Sequence, residues 1–262
     1  MQNNNNQQTK IQKLSPQQGR NIFLVLSYDG TSYCGWQKQT KENSIQSVLE
    51  NAIKKITGEK VKVIGAGRTD SNVHALGQTA NTIIKSRISE EKFLKALNAV
   101  LPWDIRVLKV VEKPLGFSAR YSAKRRWYRY YIYNAEPLSP FWARYAWYYP
   151  YKLNIKLMKK YLKVLKGCHD FTSFCSVHDE SETKVRTIYK IGLTVQKPLV
   201  IFDVIADGFL QHMIRIIVGT VVEYQKKNIP PIKMKEVLMS RNRTSAGSTA
   251  PACGLFLMKI IY

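Results

Sequence analysis

The sequence predicts an α+β fold of two lobes, each mainly antiparallel sheet covered by helices, with a cleft between them. Three observations carry that expectation. Apolar runs of period two follow one another as hairpins instead of alternating strictly with helices, which disfavours a doubly wound parallel sheet. The helical segments carry apolar stripes bounded by capping and stop residues. The second half repeats the style of the first, strands plus helices, without a sequence repeat, so the boundary is set near residue 115: residues 21–115 form one lobe and residues 116–262 the other.

In chain order, NIFLVLSYDG reads as a strand ending in a turn. SIQSVLENAIKKITG places Ile45, Val48, Leu49, Ala52, Ile53 and Ile56 at helical spacing, with Ser44 as N-cap and Gly58 as stop. Val61–Ile64 and Thr79–Ile84 read as strands on either side of a glycine-bracketed loop. SEEKFLKALNAVLPW gives Phe93, Leu94, Leu97 and Val100 one helical face before Pro102 ends it, and IRVLKVVE follows as a strand. The second half offers a basic aromatic strand near 124–133 and a helix near 154–166, capped by Asn154 and turned off at Gly167. A hairpin of strands near 184–195 and 199–206 should turn at Lys197-Pro198, and two more helices and the strand LFLMKIIY complete it. Residues 1–20, rich in Asn and Gln, read as a polar, mobile extension.

Lys and Arg number 41 against 18 Asp and Glu, a formal net charge of +23 on 262 residues of which 45% are hydrophobic. That apolar content is enough for a large core and excludes disorder of the whole chain. The positive excess calls for a polyanionic partner, and nucleic acid is the usual one. A membrane is disfavoured, because no apolar run approaches the roughly 20 residues of a spanning helix, and the N-terminus lacks the apolar core of a secretory signal. Cys34, Cys168, Cys175 and Cys253 show neither C-x-x-C pairing nor the density of a disulfide scaffold, which fits a reducing cytoplasm. Cys168, His169, Cys175 and His178 match no common zinc spacing, so no metal is expected.

Three segments carry chemistry. GAGRTDSNVHALGQ, residues 65–78, opens like a dinucleotide fingerprint, but Asp70 stands at the third glycine position and would repel a pyrophosphate. No cofactor is expected there, and the plainest job for Asp70 would be to cap its own turn. RYSAKRRWYRYYIY, residues 120–133, interleaves five cations and six aromatics without an acid. Cations hold phosphates and rings stack on exposed bases, a combination suited to single-stranded or distorted RNA. Its period of two puts Arg126, Tyr128 and Tyr130 on one face and Trp127, Arg129 and Tyr131 on the other. Finally, GFLQHMIRIIVGTVVEY holds Arg215 in a helix apolar nearly all round, where a buried guanidinium needs an anion. Asp203, isolated in LVIFDVIA, and Asp70 are the two candidate partners.

In the order YDGTSYCGWQKQ, SIQSVLENAIKKITGE, GRTDSNVHA, NAVLPWDI, FSARYSAKRRWYRYYIYN, DFTSF, GFLQHMIRIIVGTV and APACGLFL, the chain resembles the tRNA pseudouridine synthase A family, the tRNA pseudouridine(38-40) synthases. The resemblance covers essentially residues 22–262. It implies an isomerase that turns uridine into pseudouridine in the anticodon stem-loop of tRNA, without cofactor or metal, as a cytoplasmic homodimer. It further implies that Asp70 is the catalytic carboxylate, that Arg215 holds it, that Tyr128 stacks on the target uracil, that Arg68 faces the RNA near the flipped base, and that Leu255 lines the uracil pocket. Lys124, Arg125, Arg126 and Arg129 form the expected RNA-binding surface. Two positions depart from the family pattern. Asn72 replaces a usual glycine but tolerates a left-handed backbone, and Ser118 replaces a frequent histidine.

Overall fold

The computed structural model describes residues 19–39 and 43–262, so nearly all of the expected N-terminal extension lies outside the described residues. The elements run β1 (Arg20–Tyr28), α1 (Ile45–Thr57), β2 (Ile64–Gly65), β3 (His74–Ile84), α2 (Glu90–Val100), β4 (Ile105–Lys113), β5 (Arg125–Tyr133) and β6 (Trp147–Tyr148). They continue with α3 (Ile155–Val164), β7 (Gly167–Asp170), β8 (Val185–Gln196), β9 (Leu199–Ala206), α4 (Met213–Lys226), α5 (Ile232–Ser240) and β10 (Leu255–Ile261).

The helix ends follow the expected chemistry. Ser44 and Ser47 form a capping box on α1, and Gly58 closes it at φ 76°. Ser89 caps α2 through the Lys92 amide and Asn154 caps α3 through the Leu157 amide. The β8–β9 hairpin turns at Lys197-Pro198, and α4 is buried nearly all round. The expected strand Val61–Ile64 shrinks to Ile64–Gly65. Side chains of α1 occupy the Val63 backbone instead: its amide donates to Glu50 Oε1 and its carbonyl accepts from Gln46 Nε2. The short polar strand β7 carries no alternation that would announce it.

The α+β class is as expected, but the strands of both halves belong to one 10-stranded sheet, with the main path β4-β1-β3-β10-β5-β9-β8-β7. Every pairing on that path is antiparallel except β10 with β3. β10 makes the junction. It meets β3 at Phe256↔His74 and Leu257↔Ala75, and pairs along β5 on its other side. The principal core runs through both halves, from Leu24 and Leu49 to Phe202 and Ile217. Tyr128, Tyr130 and Ile132 of β5 belong to it. A small second cluster, Tyr133, Leu199 and Ile201 with Ala146, covers part of the other face. No helix among the described residues is long and apolar enough to cross a membrane.

Candidate active site

The loop from Gly65 to Val73 lies between β2 and β3 and is fixed through its backbone. Trp36 donates its amide to Thr69 O at 3.0 Å, Gln78 Nε2 donates to Gly67 O at 2.8 Å, and Arg126 donates to Ala66 O at 3.2 Å. The buried Thr69 hydroxyl bonds the Tyr28 hydroxyl at 2.8 Å. A Cβ on Gly35 would stand 2.5 Å from Thr69 O, and Gly35 itself sits at φ 100°, so the approach of its segment to the loop requires glycine. Asn72 adopts φ 61°, the left-handed turn for which glycine is the usual residue. These ties fix the Asp70 loop to its neighbours, which is how a loop keeps its geometry.

Asp70 projects from that loop toward the N-terminus of α4. Arg215 donates to Asp70 Oδ2 at 2.9 Å and, through Nε, to Ala250 O at 2.9 Å. Ala250 returns its own amide to Arg215 O, so the segment before β10 and α4 hold the guanidinium together. Of the two candidate partners of Arg215, the structure selects Asp70. The carboxylate makes no turn-capping bond among the described residues, which removes the plain capping role. His212, in a left-handed conformation at φ 63° just before α4, brings Nε2 to 3.5 Å from Asp70 Oδ2. Burial, with the cations Arg215 and Arg243, pushes its pKa below 6.5 against the opposing pull of Asp70.

Tyr128 lies buried beside the loop: its ring packs edge-on against Phe209 at 5.1 Å, and a Cβ on Gly67 would be 3.8 Å from its hydroxyl. Burial raises its pKa, with Tyr28 and Asp70 adding to the effect, so the phenol stays protonated. Leu255 is buried at the start of β10, opposite Tyr130. Arg68 is exposed two residues before Asp70, with no hydrogen bond or ion pair among the described residues.

The basic strand divides. Lys124 and Arg125 are exposed, Arg125 stacking over Tyr189 at 4.4 Å. Arg126 turns inward to the carbonyls of Ala66, Arg120 and Asp207. Arg129 forms a two-pronged ion pair with Asp203, at 2.9 and 3.1 Å, to which Trp127 Nε1 adds a third bond at 2.6 Å. The β5–β9 register, which sets Arg129 opposite Asp203, explains why Asp203 does not serve Arg215. The imagined zinc cluster is dispersed in character: Cys168 is exposed, Cys175 is buried, and His169 bonds Lys166 O. Sequence reasoning passes over His212 and Phe209, although both stand in the quoted GFLQHMIR. His212 precedes α4 with a left-handed backbone, so helical spacing from Arg215 does not announce it.

The loop thus presents a carboxylate gripped at one oxygen, beside a buried phenol and an imidazole. The family model described as tRNA pseudouridine synthase matches residues 24–122 and 162–262. The chain belongs to the tRNA pseudouridine synthase family, a family of isomerases. It is 45% identical over 243 residues to the tRNA pseudouridine synthase A of Caldicellulosiruptor bescii, covering 93% of this chain and 100% of that one. The enzyme of the same name from Clostridium acetobutylicum is 44% identical over 243 residues, with the same coverage of each. Among solved structures, a chain of a Cbf5-Nop10-Gar1 complex aligns with 77% of this chain and 44% of its own at 12% identity and a TM-score of 0.34, too loose a likeness to define a shared fold.

Proposed function

We propose that this chain converts uridine to pseudouridine in the anticodon stem-loop of tRNA, with Asp70 as the catalytic carboxylate. One observation carries the reading. Arg215 and His212 both approach Asp70 Oδ2, while Oδ1 has no hydrogen-bond partner among the described residues. The reaction breaks the N1–C1′ bond, turns the uracil and joins C5 to C1′, so its atoms balance without oxidant, reductant or added energy. The open oxygen can attack C1′, or take the C2′ proton to give a glycal. Either route uses a single carboxylate fixed by a cation. The C5 proton must then leave, and His212, uncharged near neutral pH, stands where it can accept a proton.

In this reading Tyr128 stacks on the uracil and Leu255 closes its pocket. A paired base must be extruded first, and Arg68, Lys124 and Arg125, all exposed, supply cations for the displaced strand. Arg126, bonded only to carbonyls, adds to the same positive field, while Arg129 would meet the RNA beside its ion pair with Asp203. The cleft would lie between a lobe of residues 21–115 and one of residues 116–262, in a cytoplasmic homodimer that needs no metal or cofactor. The test is to incubate the purified protein, in chelator, with unmodified tRNA and separately with unmodified ribosomal RNA, and map pseudouridine at single-nucleotide resolution. Conversion in the anticodon stem-loop is expected. Conversion confined to ribosomal RNA would move the substrate, and binding without conversion would make the chain an RNA-binding protein.

A further inference from the structure

The surface between α3 and β8 lies outside the site just described and is unusual in charge. Lys152, Lys156, Lys159, Lys160, Lys163 and Lys166 are all exposed, and none of their side chains has a hydrogen bond or ion pair among the described residues. The other helices carry acids and use several of them: Lys95 pairs with Glu91 on α2, Lys233 with Glu236 on α5, and Lys227 with Glu223 at the end of α4. Of the five described α-helices only α3 contains no acid. Like charges three and four residues apart destabilise a helix, and Lys156 in the first turn also opposes the helix dipole. Lys163 in the last turn favours that dipole, so the arrangement is only partly explained by helix stability. The repulsion is relieved when a polyanion lies along the row.

The row also has a receptacle. A surface cavity of about 270 Å³ opens between α3 and β8, lined by Lys159, Lys163 and Lys166 with Leu162 and Gly192. Nothing stands within 4 Å of where a Cβ on Gly192 would be, so the floor is open. β7 covers only Val185–Ile188 of β8, and the stretch from Ile191 to Gln196 pairs with β9 alone. Lys159 and Lys163 stand about 6 Å apart along the axis of α3, with Lys166 just past its end.

We propose that this α3–β8 surface is a second RNA contact, holding the phosphodiester backbone of the substrate at a point remote from the target uridine. The charge complementarity favours RNA, and α3 has no exposed large apolar side chain with which to enter a lipid layer. The inference rests on the RNA-substrate part of the function proposed above, and goes beyond it by adding a contact that none of Asp70, Tyr128 or Arg215 makes.

The test compares the parent protein, a Lys159→Ala/Lys163→Ala/Lys166→Ala variant, and the same three lysines changed to Arg. Each is titrated across a salt series with full-length tRNA and with an oligonucleotide of the anticodon stem-loop alone. The alanine variant should bind full-length tRNA about tenfold or more weakly, with a salt slope shallower by about two to three units, roughly one for each phosphate no longer neutralised. Its affinity for the stem-loop and its single-turnover rate on saturating tRNA should match the parent, and the arginine variant should bind as the parent does. Unchanged affinity and slope for full-length tRNA would overturn the proposal, as would an equal loss on the stem-loop. So would self-association of the alanine variant with RNA binding intact, which would make the lysines guards of the open β8 edge, or lysine-dependent capture of anionic lipid vesicles without any effect on RNA. Since binding is the readout, a parent that binds tRNA but makes no pseudouridine defeats the proposed function and leaves this comparison to be read.

Discussion

Two aspartate–arginine pairs stand on the two faces of β5, and they are built differently. Asp203, on the side of Trp127, receives three hydrogen bonds that use both carboxylate oxygens. Asp70, on the side of Tyr128, is gripped at Oδ2 only. Exposure does not separate them, the side chains being 21% and 26% accessible. Satisfaction does. A carboxylate whose acceptor sites are filled by fixed donors has nothing left for a substrate and serves to lock two strands together. One with an oxygen left open keeps a reactive lone pair at the cost of the stabilisation a second bond would bring.

The largest expected effect breaks or keeps that comparison directly. Asp70→Asn should lower turnover by on the order of a thousandfold or more, as loss of a reacting group does, with tRNA binding retained by gel shift. Asp203→Asn should leave turnover within about threefold of the parent and lower stability by about 1–2 kcal/mol, a figure already reduced for the partial exposure of the pair. Tritium release from 5-tritiated uridine in tRNA reports the first and thermal unfolding the second. Comparable loss of turnover in both variants would end the distinction.

A smaller effect sharpens it. Arg215→Lys keeps a cation but loses the planar fork that reaches Asp70 and Ala250 O together, so turnover should fall by about tenfold to a hundredfold with folding preserved. Arg129→Lys, at the filled pair, should change turnover little and lower the melting temperature by a few degrees. Steady-state kinetics and thermal melts on the two variants give the four numbers to compare.

How much of this is legible in the sequence depends on how far apart the interacting parts lie. The helices, their caps and the β8–β9 turn are local, and residues such as Ser44, Asn154 and Gly58 announce them. The isolation of Arg215 in an apolar helix demands an anion, and pattern alone narrows the choice to two. What pattern does not supply is the strand register. Arg129 reads as a phosphate contact because nothing in its own segment shows that Asp203 will lie across the ladder from it, and Arg126 reads as free because its carbonyl partners come from three distant segments. The joining of the halves escapes for the same reason: β10 is the last strand, and an apolar run at the end of a chain can pair anywhere until the sheet exists. His212 is hidden differently, since its left-handed backbone, which turns the ring toward Asp70, is a property of the loop before α4 and not of the residue type.

The smallest effect assigns an acid sensitivity to the Asp70 side. Asp203 is bonded by Arg129 and Trp127, neither of which changes charge in mildly acidic solution. Asp70 is approached by His212, whose folded pKa lies below 6.5 because of its burial and the cations Arg215 and Arg243, with Asp70 pulling the other way. His74 is lowered as well, by burial, against the opposing effects of Asp29 and the carbonyl of Arg144. A histidine whose folded pKa is depressed binds its proton more readily in the unfolded chain. The stability it contributes is therefore complete above 6.5 and is lost as pH falls through the folded value. The melting temperature should drop by about one to a few degrees between pH 7.5 and 5.5. His212→Gln should remove part of that drop and leave the part due to His74, while Asp203→Asn should lower the melting temperature by a similar amount at both pH values. A melting temperature that rises on acidification through this window would mean that the folded site attracts the proton, and His212 would then stand beside Asp70 as a cation, unable to accept one.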